Sequence, residues 1–272
     1  MRTLGIVGAP DADTDALAER ITDRLAEDGR VAHVVRLESA TTDGAVPDRR
    51  ERPSDATYGL SDDGTWSATG TDRTLDATLD DLAPDYDYAV LEGFANATVP
   101  GVVVGDVDYP GDVLARVEAA EMLAVDEVIE ALAETEPYET LESLVERVTT
   151  APDAERAGAI ATFTGRVRAK DAPDDEPTER LEFEKYEGVA ERKMEAISTE
   201  LSDREDVHGV CMHHRTGVIE YGEDIVFVVV LAGHREQAFE TVRDGINRLK
   251  DEVPIFKKEV TTDETFWVHE TE

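Results

Sequence analysis

The stretch "DIVFVVVLAGHREQAFETVRDGINRLKDEVPIFKKE" (residues 224–259) sets the fold of the second half of the chain. Its apolar run, 225–233, is far short of the ~20 residues that a membrane-crossing helix takes, and has the length of a buried strand. His234–Arg235 then open a segment in which Phe239, Val242, Ile246 and Leu249 recur at helical spacing. That spacing predicts one apolar helix face over 235–251, ended by Pro254. Lys250 falls in the last helical turn, and Lys257–Lys258 come just after the proline turn.

Around this strand–helix pair, "AGAIATFTGRVR" (157–168) reads as a strand and 170–179 as a solvated loop. "LEFEKYEG" (181–188) alternates like a half-buried strand, and 189–203 is an amphipathic helix. "VHGVCMHHRTG" (207–217) and "TFWVHE" (265–270) supply further strands. Strands and helices mix without strict alternation, so this half is expected to be α+β.

The first half reads differently. "TLGIVG" (3–8), an Asp-rich loop, a helix over 15–29 with Leu17, Ile21 and Leu25 in one stripe, and "VAHVVRL" (31–37) open a βαβ unit with a parallel sheet. Residues 40–83, rich in Asp, Thr, Ser, Gly and Pro, are expected as loops or a short hairpin. Two apolar strands around a turn are expected over 88–106, and helix over about 111–148 with a break near Pro137. Two domains are therefore expected, 1–125 and 138–272, with 126–137 as a linker or helix.

Among 272 residues, 63 are Asp or Glu and the formal net charge is −36. Such a surface repels polyanions, which disfavours nucleic acid and anionic membranes as partners. Concentrated salt, with a screening length of roughly 3 Å at 1 M, relieves the self-repulsion, so the composition is read as that of a halophile. Cys211 has no second cysteine to pair with, which fits a reducing cytosol. A soluble, cytoplasmic protein is expected.

Lysine is the informative residue. There are six against 21 arginines, none before residue 170, and three of the six are Lys250, Lys257 and Lys258. Lys250 complements a helix C-terminus, but arginine would do so equally. Lysine differs in being able to give up a proton or act as a nucleophile. His234–Arg235 stand where a strand meets a helix N-terminus, a place for an anion or for a carboxylate from elsewhere in the chain. His213 and His214, adjacent on a strand, point to opposite faces and make no metal clip; no metal is expected. The loop after the first strand has a phosphate loop's position but lacks its second glycine, lysine and hydroxyl. Asp11, Asp13 and Asp15 stand there instead, so a capped turn is the expectation.

These residues carry two resemblances. The βα opening and "YDYAVLEGFANATVP", with Glu92 in "LEGF", resemble the MobB family of molybdopterin-guanine dinucleotide accessory proteins over about the first 120 residues. That implies a P-loop-like α/β domain whose phosphate loop has decayed. "GAIATFTGRVR", "FEKYEG", "HRTGVIEYGEDIVFVVVLAGHR", "AFETV" and "LKDEVPIFKKE…W" resemble the MoaE family, the catalytic large subunit of molybdopterin synthase, over about 138–272. The second resemblance implies an α/β hammerhead-type fold that dimerises and binds a small ubiquitin-like, MoaD-like sulfur carrier ending in a thiocarboxylate. It implies transfer of two sulfurs to cyclic pyranopterin monophosphate (precursor Z), giving the molybdopterin dithiolene, with no permanently bound cofactor. Carried over residue by residue, it makes Lys250 and Lys257 catalytic. Arg168, His234, Arg235, Phe163 and Lys258 become substrate-binding. A non-catalytic adaptor that docks the carrier or passes molybdopterin onward is the alternative.

Overall fold

A computed structural model describes residues 1–10, 12–37, 56–170, 172, 177–186, 188–261 and 265–268. The chain divides into two units, Met1–Tyr138 and Glu139–Glu272.

The first unit runs β1 (Arg2–Gly8), α1 (Thr14–Leu25), β2 (Val31–Val35), β3 (Ala56–Leu60), β4 (Trp66–Gly70), α2 (Leu75–Leu82), β5 (Tyr88–Glu92), β6 (Gly101–Val104), β7 (Val113–Val117) and α3 (Val125–Ala133). Its main sheet is parallel throughout, in the order β2-β5-β1-β6-β7. The parallel sheet expected from the opening βα pattern is present. β5 and β6 do not pair with each other; they flank β1 on either side. That placement explains their unbroken apolar runs, because strands inside a parallel sheet are covered on both faces. Leu17, Ile21 and Leu25 of α1 pack into the core with Val128 and Leu132 of α3. The segment 126–137, expected as linker or helix, is therefore largely a helix packed into the first core.

Two other expectations change here. Residues 113–117, read as helix, are the edge strand β7, where Val113 and Val117 suit a pleated ribbon better than a helix. Within 40–83, β3 and β4 form the short hairpin, but 75–82 is helix α2, capped by Thr74 and holding Leu79 in the core. Residues 40–55 lie outside the described residues.

The second unit runs α4 (Leu141–Thr149), β8 (Ala159–Arg166), β9 (Thr178–Lys185), α5 (Val189–Ser202), β10 (Val207–His214), β11 (Gly217–Glu220), β12 (Asp224–Ala232), α6 (Arg235–Glu252), β13 (Ile255–Thr261) and β14 (Thr265–Val268). It is α+β, with two antiparallel sheets, β10-β12-β8 and β11-β9-β13-β14. β12 is the centre of the first sheet and is buried on both faces. Phe227, Val229 and Leu231 pack with Leu144 and Val148 of α4. Val226, Val228, Val230 and Ala232 face the cluster formed by α5 and α6. The uniform valine run thus reflects two-sided burial.

The helix after β12 runs as the periodicity predicts, with one correction. Phe239 is 64% exposed, and the buried stripe is Ala238, Thr241, Gly245, Ile246 and Leu249. Small residues take the places nearest the sheet. A Cβ on Gly245 would stand 2.9 Å from Val228 Cγ1 and 3.0 Å from Met212 Cε, so glycine lets the helix lie close. The strand β13 had no periodic apolar signature, since its alternate positions are lysine and glutamate. Residues 269–270 of the last expected strand lie outside the described residues. No helix among the described residues is long and apolar enough to cross a membrane.

Candidate active site

The loop after α6 returns the chain as β13 alongside β9, with Lys257 opposite Phe183, Glu259 opposite Leu181 and Lys258 opposite Glu182. Alternation along the strand sends neighbouring side chains to opposite faces. Ile255, Lys257 and Glu259 join Leu181 and Phe183 in lining a cavity of about 560 Å³. Lys258 points to the other face, where its Nζ lies 2.6 Å from Glu182 Oε2 and holds that carboxyl below its usual range. Lys258, expected as a substrate contact, makes this cross-strand ion pair and is not among the lining residues.

Helix α6 contributes Ile246, Leu249, Lys250 and Val253 to the same cavity, positions i, i+3, i+4 and i+7 of one face. β8 and the residues after it contribute Phe163, Gly165, Arg166 and Arg168. A Cβ on Gly165 would fall 2.6 Å from Val226 Cγ1, so any side chain here forces β8 and β12 apart at the cavity wall. Of the residues expected from the sequence, Phe163, Arg168, Lys250 and Lys257 thus share one cavity.

His234 and Arg235 do not line it. They begin α6, and Lys250 lies fifteen residues further on, about 22 Å along the axis at 1.5 Å per residue. His234 Nδ1 is instead 2.6 Å from Asp206 Oδ2, while the imidazole stays 81% exposed. The carboxylate-capping alternative for this histidine is the contact observed within one copy.

Arg166, Thr178, Phe183, His214 and Glu259, none of them expected from the sequence as site residues, also line the cavity. Arg166 is tied to Asp224 at 3.1 Å and to the Gly222 carbonyl. Glu259 accepts a hydrogen bond from the Thr178 hydroxyl. Glu259 was within reach of sequence reasoning, being two residues past Lys257 on a strand. Among the described residues, four lining cations (Arg166, Arg168, Lys250, Lys257) face one lining carboxylate, Glu259, in a chain of net charge −36. A lining of this charge suits a small anion.

His213 and His214 point to opposite faces of β10, as adjacent strand residues do. His213 stacks on its cross-strand partner Phe227, ring centroids 6.5 Å apart. His214 packs edge-on against Phe183 at 4.9 Å. Burial lowers the two from an ordinary 6.5 to about 3 and about 4. Glu139 partly opposes this for His213, whereas Lys185 reinforces it for both. A histidine whose folded pKa is depressed supports the fold fully above its unfolded value. Stability of the second unit should then fall as pH drops below about 6.5, before most carboxylates titrate. Thermal melts at pH 7 and 5 in high salt should show that fall, and His213→Phe should flatten it; an unaltered slope would exclude the assignment.

In the first unit, Asp13 Oδ1 accepts from the Ala16 amide at 3.2 Å, a cap at the helix end a phosphate would approach. Asp11 lies outside the described residues. Glu92, at the end of β5, is buried and meets His33 Nε2 at 3.0 Å and the Thr14 hydroxyl at 3.4 Å. Burial, then the neighbouring Asp15, raises its carboxyl above the usual range.

The second unit is thus an α+β domain around a cation-lined, aromatic-walled cavity, a form that small-molecule sites take. Residues 133–252 match the family model described as MoaE protein. A protein of Haloferax volcanii called probable molybdopterin synthase is 56% identical over 275 residues, covering 99% of this chain and 100% of the relative. The chain belongs to the molybdopterin synthase catalytic-subunit (MoaE) family, enzymes of molybdenum cofactor biosynthesis. Among solved structures, molybdopterin synthase from Staphylococcus aureus is 30% identical with a TM-score of 0.43, over 49% of this chain and 93% of that one. MobB of Bacillus subtilis is similar at 17% identity and a TM-score of 0.39, over 48% of this chain and 97% of that one.

Proposed function

We propose that the second unit catalyses molybdopterin formation, transferring two sulfurs from a thiocarboxylated, ubiquitin-like carrier protein to cyclic pyranopterin monophosphate. The observation that carries this reading is the convergence of Lys250 and Lys257, from a helix end and a strand, on one cavity with Arg168. Opening a cyclic phosphate develops charge on a leaving oxygen. An ammonium beside it can stabilise that charge or supply the proton. In this reading Lys250 serves the leaving oxygen and Lys257 the carrier's acyl group during sulfur delivery. Arg168 and the neighbouring Arg166 hold the phosphate, guanidinium being suited to bidentate contact. Phe163 and Phe183 supply apolar walls for the ring.

The test is reconstitution: full-length protein, thiocarboxylated carrier and precursor Z should yield molybdopterin. Binding of either partner with no product would favour the adaptor. The reading includes cytoplasmic action and a homodimer through the second unit. Light scattering on the eluting protein should give twice the 29.8 kDa chain mass; a monomeric mass would remove the dimer.

A further inference from the structure

His214 stands at the cavity wall with a side of its ring unaccounted for. It is 6% exposed, closes β10 opposite Val226, and lies against Phe183, whose cross-strand neighbour is Lys257. Its Nδ1 is 2.7 Å from the Arg215 carbonyl oxygen. A carbonyl only accepts, so Nδ1 carries the hydrogen and Nε2 of the neutral ring presents a lone pair. Among the described residues none is hydrogen-bonded to Nε2. Burial keeps the ring uncharged, with its pKa down at about 4. His214 lines the cavity, so its neutral ring brings one acceptor nitrogen to a lining otherwise rich in donors.

We propose that Nε2 of His214 accepts a hydrogen bond from the exocyclic amino group on the ligand's heteroaromatic ring, and so fixes which way the ligand enters. This rests on the pterin reading above and extends it. The arginines and lysines recognise a phosphate but cannot orient a ring. The phosphate oxygens only accept, so they cannot satisfy Nε2. The exocyclic amino group of a pterin can. His214 thereby separates the two ends of the molecule: phosphate to the cations, donor edge to the imidazole, ring face to Phe163 and Phe183.

The probe is pterin itself, without phosphate, titrated into full-length protein and followed by its fluorescence. His214→Phe keeps an aromatic ring against Phe183 but removes the acceptor, and should weaken pterin at least about tenfold, the equivalent of one lost hydrogen bond. His214→Gln retains an acceptor and should stay within about threefold of the native protein. The 2-dimethylamino analogue, lacking the exocyclic donors, should bind the native protein correspondingly worse, a result that needs no substitution to fold. Equal binding by the native protein and His214→Phe, equal binding of pterin and its dimethylated analogue, or no binding at all by the native protein would overturn the proposal. Intact pterin binding without molybdopterin in the reconstitution would remove the sulfur-transfer reading and leave this contact standing.

Discussion

Replacing Lys250 by arginine should lower molybdopterin formation by ~10²-fold or more, the scale of a lost general acid, while the melting temperature stays within a few degrees. Lys250 is exposed on α6 and holds its place through the buried Ile246 and Leu249 beside it, so the fold does not depend on its head group. Arginine preserves the positive charge, the helix-end complementarity and most of the stem. What it removes is a compact ammonium that can release a proton. Steady-state rates in the reconstituted system, with melts on the same samples, decide the matter. Near-native turnover by the arginine variant would show that Lys250 contributes charge alone, and the proton-transfer role would be withdrawn.

Phe227→Ala should have the largest effect on stability, costing about 3–5 kcal/mol, the range found when a fully buried aromatic is truncated. Phe227 is 1% exposed in the middle of the central strand β12. It packs with Leu144 and Val148 of α4, stacks with His213, and has the Arg215 guanidinium 5.6 Å over its ring. Truncation opens a hole that neither a strand hydrogen-bonded on both sides nor a helix can fill without breaking other contacts. The melting transition of the second unit should fall on the order of 10 °C. A drop of only a degree or two would mean that α4 closes over the gap, and the two-sided burial of β12 would need revision.

The extent to which sequence revealed this molecule depends on where its signals were local. The apolar run 225–233 and the stripe before Pro254 carried β12 and α6 because each is a long, one-period pattern. Phe239 was misplaced within that pattern: Ala238 and Gly245 hold the buried positions because close helix–sheet contact selects small side chains, which hydrophobic periodicity does not register. Helix α2 hid among Asp and Thr, and β7 looked helical because an edge strand of four or five residues has no period to read. In the cavity, lysine scarcity and the family likeness found Lys250 and Lys257, while Phe163 and Arg168 came through the likeness alone. His214 stayed hidden because its use depends on which face of β10 meets Phe183, a matter of sheet pairing. Glu259 and Lys258 were a question of parity along a strand not yet recognised as one.

That parity has a consequence for how the pocket can change over time. Only the odd-numbered side chains from Ile255 to Glu259 look inward, apart from the wall contributed by Phe256. One codon gained or lost near Pro254, if β13 re-paired with β9 one step along, would turn Lys257 outward and bring its neighbours in. Insertions in this turn should therefore be tolerated in pairs and rejected singly, a rule of even numbers imposed on the gene by a pleat in the protein.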